Sequence, residues 1–194
     1  MTMTATQARA PTFFDEVVTA TPGGKVNLEL CLQCGTCGGS CPSGPDMDHT
    51  PRALFAMISA GMREQVLSSN TPWFCVSCYY CTVRCPQEIR ITDLMYSLKR
   101  MATREGYSRK SSSPSAPEFS QTFVDFAENY GRSFELGVAT RFILTHNPLG
   151  MVKMAPMGMG MLRRGRMDLT PKRIKGIDQL KAILAKAKEM GGES

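Results

Sequence analysis

The chain has no apolar run approaching the roughly eighteen residues that a membrane-crossing helix requires, so no helical span is expected. Met1 to Pro11 has neither the charged start nor the apolar stretch of a secretory signal, which points to a cytoplasmic protein. Histidine is scarce: His49 and His146 lack a second histidine or an acidic cluster at ligand spacing, so a histidine-built metal site is not expected. No P-loop occurs, and Gly158, Gly160 and Gly165 have the wrong spacing for a dinucleotide-binding turn. Nucleotide-dependent chemistry therefore has no visible seat in the chain.

What is present is globular in composition. Hydrophobic residues make up 42% and charged residues 21% of the 194 positions. That suffices for one domain with a core, or a small domain with extended arms, but not for two full domains. The 17 Gly, 12 Pro and 14 Met add irregular, adaptable surface.

The dominant feature is an internal repeat. Cys31, Cys34, Cys37, Cys41 and Pro42 recur 44 residues later as Cys75, Cys78, Cys81, Cys85 and Pro86, each copy reading C-x2-C-x2-C-x3-C-P. Disulfides are the use of eight cysteines in a secreted protein, but clustered triplets without a signal point to metal ligation in a reducing compartment. Structural zinc takes four thiolates from paired C-x2-C knuckles, not from triplets with a spaced fourth cysteine before proline. A cubane iron–sulfur cluster needs four thiolates at tetrahedral corners, and cysteines at i, i+3 and i+6 wrap a loop around three of them. In two-cluster proteins with this pattern the fourth corner comes from the other motif. The expected sets are Cys31, Cys34, Cys37 and Cys85 for one [4Fe–4S] cluster, and Cys75, Cys78, Cys81 and Cys41 for a second, which uses every thiol.

The crossing pins the two loops together, so the clusters should help to fold the domain. Pro42 and Pro86 stop any helix at the fourth ligand, while Gly35, Gly38 and Gly39 let backbone amides approach the first cluster. The second loop carries Val76, Ser77, Tyr79 and Tyr80 beside Trp73 and Phe74 instead, which predicts a bulkier, drier shell and a different potential. The clusters also change the charge balance. A net charge of +6 and a pI near 9.0 would ordinarily raise nucleic acid or an acidic membrane as partner. Two oxidised cubanes at about −2 each bring the loaded protein to roughly +2, and no nucleic-acid partner is expected.

Helical periodicity follows each motif. Asp48 or Thr50 can cap a helix from Pro51 to about Ser68, with Gly61 tolerated or marking a break. Thr92 is the expected N-cap of a second helix, which carries Leu94, Met95, Leu98 and Met101 on one face and stops at Gly106. The Ser- and Pro-rich stretch from Arg109 to Pro117 reads as a linker. Beyond it, two short helices are expected over Glu118–Tyr130 and Phe134–Leu144 before Asn147-Pro148. A Met- and Gly-rich stretch from Pro148 to Leu162, a basic run from Arg163 to Lys175 and a final amphipathic helix marked by Ile177, Leu180, Ile183, Leu184 and Ala187 follow. The expected fold is mainly α. Its organisation is an N-terminal arm over 1–24, a di-cluster domain over 25–108, a linker over 109–117 and a helical extension over 118–194 for partner docking.

The 33 residues between Cys41 and Cys75, mostly an amphipathic helix, favour an α-helical ferredoxin over the short-turn bacterial type. Here CLQCGTCGGSCP, the PRALFAMISAGM helix and WFCVSCYYCTVRCPQEIRI resemble the iron–sulfur C subunit of heterodisulfide reductase, over about Leu28 to Arg104. The resemblance implies an electron relay between an A-type subunit bearing flavin and iron–sulfur clusters and a catalytic B-type subunit with C-C-G motifs. Similar helical ferredoxin domains occur in the iron–sulfur subunits of quinone-linked dehydrogenases of the succinate, fumarate and glycolate types. A scaffold whose clusters serve folding only is a third reading. This chain has no C-C-G motif and no ninth cysteine, so catalysis would belong to a partner. It also lacks a third cluster motif upstream of Cys31, which weighs against the succinate dehydrogenase type.

The remaining features have plain readings beside the sharper ones. His49, between Asp48 and Thr50, reads as a helix-start residue, and His146 as a turn residue. Met151, Met154, Met157, Met159 and Met161 suit an adaptable docking face better than a copper site. Arg163, Arg164, Arg166, Lys172, Arg173 and Lys175 read as a solvated basic face, which leaves peripheral attachment to an acidic partner or membrane open.

Overall fold

The computed structural model describes residues 11–23, 26–146, 150–166 and 168–190. It is built of helices and turns, with no strand among the described residues, as expected of a mainly α fold. The chain divides into two units, Met1–Ser113 and Pro114–Ser194.

In the first unit, helix α1 (Phe13–Ala20) starts with a capping box. The Thr12 hydroxyl accepts from the Asp15 amide, and the Asp15 carboxylate accepts from the Thr12 amide at 2.8 Å. Phe13 and Val17 stand one turn apart on the same face and are buried in the unit's core. From Phe13 onward the expected arm is therefore core structure, and Ser97 and Arg100 tie its end down through the Ala20 carbonyl.

Helix α2 (Thr36–Gly39) lies inside the first cysteine motif. Helix α3 (Pro51–Ser59) begins at Thr50, whose hydroxyl accepts from the Ala53 amide, with proline at a first-turn position that needs no amide hydrogen. Gly61, at φ +74°, turns the chain into α4 (Arg63–Ser68), so the long helix expected from Pro51 is broken there. Helix α5 (Tyr80–Val83) lies in the second motif, followed by α6 (Ile91–Arg104). Along α6, Ile91, Leu94, Met95, Leu98, Met101 and Ala102 repeat at helical spacing and pack with Leu54, Phe55 and Ile58 of α3 and with Val66 and Leu67 of α4. Gly106, at φ +76°, ends this helix as expected. The cap differs from expectation: Arg90 holds that position, and Thr92 lies inside the first turn with 1% of its surface exposed.

Arg63 joins three segments of this unit, donating to Glu16 and Glu105 at 2.7 Å each while its guanidinium covers the Phe13 ring. Both carboxylates hold the guanidinium firmly protonated. With the side chains a third or so exposed, Arg63→Ala is expected to cost about 1 kcal/mol, most of it lost in high salt. Thermal denaturation of the variant at low and high ionic strength checks this.

The second unit contains α7 (Ser115–Tyr130), α8 (Glu135–His146), α9 (Gly150–Arg163) and α10 (Ile177–Glu189). Helix α7 starts within the stretch expected to be a linker, and Pro117 is tolerated because it falls in the first turn. α7 and α8 pair through Phe119 and Phe142, edge to face at 5.4 Å, and through an Arg141–Asp125 ion pair at 2.9 Å. Gly131, at φ +76°, ends α7, and the Ile174 side chain lies over it where a Cβ would clash. The Met- and Gly-rich stretch is helical as α9, against its irregular reading, despite Pro156 inside it. The side chains of Met151, Met154 and His146 and the Asn147-Pro148 break lie outside the described residues, whereas Met157, Met159 and Met161 are exposed.

Candidate iron–sulfur site

The two cysteine loops share one backbone plan, set by residues in the left-handed region. Gln33 and Ser77, which match in the repeat, have φ of +56° and +55°. Gly35 and its counterpart Tyr79 have φ of +82° and +62°. Glycine makes this turn without strain in the first loop, whereas Tyr79 carries the cost of a Cβ in the second. Each loop then closes into a one-turn helix, α2 or α5, neither of which buries a residue. Helices so short have no stability of their own.

A polar clasp brings the loops together. The Asp48 amide donates to the Asn70 side chain at 2.7 Å, and the Asn70 amide donates back to the Asp48 carboxylate at 2.8 Å. The His49 amide donates to the Thr71 hydroxyl, which in turn donates to the His49 carbonyl at 2.9 Å. The segment after the first motif is thereby held to the segment before the second. At the other side, Arg84 donates to Ser40 at 3.1 Å, and these two residues immediately precede the fourth cysteine of each motif.

This arrangement sorts the thiols into two sets. Cys31, Cys34, Cys37 and Cys85 line one cavity. Cys41, Cys75, Cys78 and Cys81 line another. Each cavity thus takes three cysteines from one motif and the fourth from the other. Ile91, at the start of α6, lines both. The second cysteine of each triplet, Cys34 and Cys78, is exposed, and the other six are half-buried.

The surroundings suit anionic sulfur. The Thr36 hydroxyl, 3.4 Å from the Cys34 sulfur, leads in holding that thiol below its usual range, helped by the Thr36 amide. Burial pushes Cys37 up against the pull of the Gly38 amide. Burial likewise raises Cys41, opposed by the Ser43 and Gly44 amides, and Cys81, opposed by the Thr92 and Thr82 hydroxyls. Cys37, Cys41 and Cys81 are therefore helped to ionise by a compensating positive charge, which a metal supplies.

A Cβ at Gly38 would come to 3.1 Å from the Thr50 side chain, a tight contact, whereas one at Gly39 would meet no protein atom within 4 Å. The dry shell expected from the second loop is also corrected. Val76 and Tyr79, which line the second cavity, and Tyr80 beside them stand largely exposed.

A cubane fits these cavities on two counts. The four thiols of each set border open space. In addition, Trp73 Nε1, Thr82 Oγ1 and Thr92 Oγ1 are buried without a protein partner. All three belong to residues in or beside the second cavity's elements, where sulfur acceptors would satisfy them.

A family model described as a 4Fe-4S dicluster domain matches residues 27–89. The chain carries a 4Fe-4S dicluster domain. Two [4Fe–4S] clusters are accordingly its cofactors, as the eight cysteines led us to expect. The resemblance to the C subunit of heterodisulfide reductase is borne out among curated proteins. The C subunit of the H2:CoB-CoM heterodisulfide, ferredoxin reductase of Methanothermobacter marburgensis is 36% identical over 94 residues, 48% of this chain and 50% of that one. The iron–sulfur C subunit of the CoB–CoM heterodisulfide reductase of Methanopyrus kandleri is 35% identical over 85 residues, 44% of each. The C subunit of a ferredoxin/F420H2-dependent CoB-CoM heterodisulfide reductase of Methanosarcina acetivorans is 42% identical over 81 residues, 42% of this chain and 50% of that one. The chain spans about half the length of the curated relatives it matches. Its dicluster domain is of the electron-transfer kind, and no described helix is long and apolar enough to cross a membrane.

The sequence alone did not mark Ile91 as a shared wall, nor Gln33 as a donor to the Cys31 sulfur at 3.4 Å. Thr92 was visible as a hydroxyl at a helix start, but that signal read as a cap.

Proposed function

We propose that this chain is the relay subunit of a heterodisulfide reductase-like complex, passing electrons between an A-type subunit bearing flavin and clusters and a catalytic B-type subunit with C-C-G motifs, in the cytoplasm. The crossed ligation is part of the proposal: Cys31, Cys34, Cys37 and Cys85 hold one cluster, and Cys75, Cys78, Cys81 and Cys41 hold the other. The observation that carries it is the sorting of eight thiols into two sets of four on either side of Ile91. When bound, each cluster takes up and gives back one electron at a time. The chain's own residues supply the rest. The thiolates fix the two positions, Ile91 keeps them apart with an apolar wall, and the amides of Gly38, Ser43 and Thr82 favour the ionised sulfurs.

Docking has candidate surfaces at both mouths. Leu32 stands 65% exposed on the first cavity, Val76 at 64% on the second, and Val83 at 81% two residues after Cys81. Single exposed apolar residues are unremarkable, but here they gather where electrons would leave. Anaerobic purification from the native source, with identification of the bound subunits, tests the reading. Flavin-bearing and C-C-G partners are expected, with about eight irons and eight sulfides per chain. About two irons without sulfide, or a membrane cytochrome as partner, would overturn it. In the same preparation, Val83→Asp is expected to weaken retention of one partner at least about tenfold, the effect of roughly 1.4 kcal/mol at an interface.

A further inference from the structure

We propose that the Thr92 hydroxyl is a hydrogen-bond donor to the sulfur cage of the second cluster and selectively raises that centre's reduction potential. The proposal rests on the assignment of a cluster to Cys41, Cys75, Cys78 and Cys81. Thr92 is 1% exposed and lines the cavity those four cysteines share. Its hydroxyl is buried and makes no hydrogen bond within the protein. The usual uses of a threonine at this position are closed. Arg90, not Thr92, caps α6, and the hydroxyl makes no bond back to a carbonyl of the preceding turn. A buried hydroxyl left unpaired is costly, and valine would fill the same space without that cost. The hydroxyl therefore needs an acceptor within the cavity. Anionic sulfur is the acceptor at hand, since Thr92 lines one cavity with Cys41, Cys75, Cys78 and Cys81.

The sign follows from charge. A donor stabilises the more negative, reduced state of a sulfur cage more than the oxidised state, so the potential rises. Burial strengthens the effect because no water competes. The selectivity follows from the repeat. The first motif's counterpart of Thr92 is Asp48, whose carboxylate is already engaged by Asn70 and Ser112. The side-chain donors on the first cavity, Gln33 to Cys31 and Thr36 with Cys34, lie at 3.4 Å on exposed residues where water competes. Thr82, also a buried hydroxyl without a partner, is the counterpart of Gly38 and adds a second donor on the same side.

The test is an EPR-monitored redox titration of the anaerobically reconstituted full chain carrying Thr92→Val. One of the two potentials is expected to fall while the other stays. The expected drop is about tenfold in the equilibrium constant for reduction, or about 59 mV for a one-electron couple. Thr92→Ser retains the donor and should keep the wild-type value. After exchange into D2O, the deuteron coupled to the reduced centre should disappear in the valine variant and persist in the serine variant. Thr92→Ala carries the same expected shift should the valine variant not hold its iron. An iron-replete valine or alanine variant with both potentials unmoved overturns the proposal, as does a serine variant that shifts like valine. A wild-type chain whose iron and sulfide fall far short of two clusters overturns the two-cluster reading itself, so the two failures are distinguishable.

Discussion

Cys31→Ala combined with Cys85→Ala is expected to leave one [4Fe–4S] signal unaltered and about four irons per chain, whereas Cys31→Ala combined with Cys41→Ala leaves neither signal unaltered. The contrast is between two pairs with the same number of lost thiols. Residues 31 and 85 line one cavity although they belong to different motifs, so their joint removal takes two corners from a single centre. Residues 31 and 41 belong to the same motif but line different cavities, so their removal takes one corner from each. Alanine cannot ligate in place of the thiol, which serine can do weakly. Iron analysis with EPR of the reduced protein reads the outcome. The reverse pattern, with the 31/41 pair sparing one centre, would mean that each motif holds its own cluster and would remove the crossed assignment.

Stripping the iron with a chelator under anaerobic conditions is expected to unfold the cysteine loops and spare the helical core. Most small metal domains of this kind lose their fold altogether without metal. Here the first unit has an apolar core of its own, with Val17, Leu54, Ile58, Val66, Leu67, Leu94 and Leu98 fully buried across α1, α3, α4 and α6 and the thiols packed only at its edge. The loops differ: α2 and α5 bury nothing, and four residues of the two loop segments other than glycine, Gln33, Ser77, Tyr79 and Glu88, already sit in the left-handed region. By hydrogen exchange, amides of 31–46 and 75–88 should fall to within about tenfold of free-chain rates on iron removal, while the centre of α6 stays protected. Loss of protection in α6 at the same iron content would show that the clusters hold the whole unit. In that case removal of one large core side chain, at roughly 3–5 kcal/mol, would be minor beside removal of iron.

How much of this was legible in the sequence depended on the range of the signal. The spacing of the eight cysteines is a local pattern with one dominant use, and it carried the cofactor and the number of clusters. Helix starts and stops at Thr50, Gly61 and Gly106 were also local, set by a capping hydroxyl and by positive φ. Thr92 failed because the capping rule sees only sequence neighbours, whereas burial against Cys81 and Met95 depends on how α6 meets the second loop. The exposure of Tyr79 and Tyr80 was missed for a related reason: aromatic content suggests burial but is itself a local signal. The helix from Gly150 was masked by its glycines and by Pro156, which lower helix propensity without forbidding a helix. The segment from Phe13 looked like a loose end because its apolar residues are few, yet two of them one turn apart suffice to anchor it.

Ile91 has a thermodynamic consequence as well as a structural one. Because a single side chain borders both cavities, charge added on one side is felt on the other through little more than hydrocarbon, where screening is weak. The two reductions are then negatively cooperative: the first electron makes the second harder to add, wherever the first resides. At moderate driving force the chain would hold one electron that hops between two seats, so it would hand electrons on singly even to a partner that needs two.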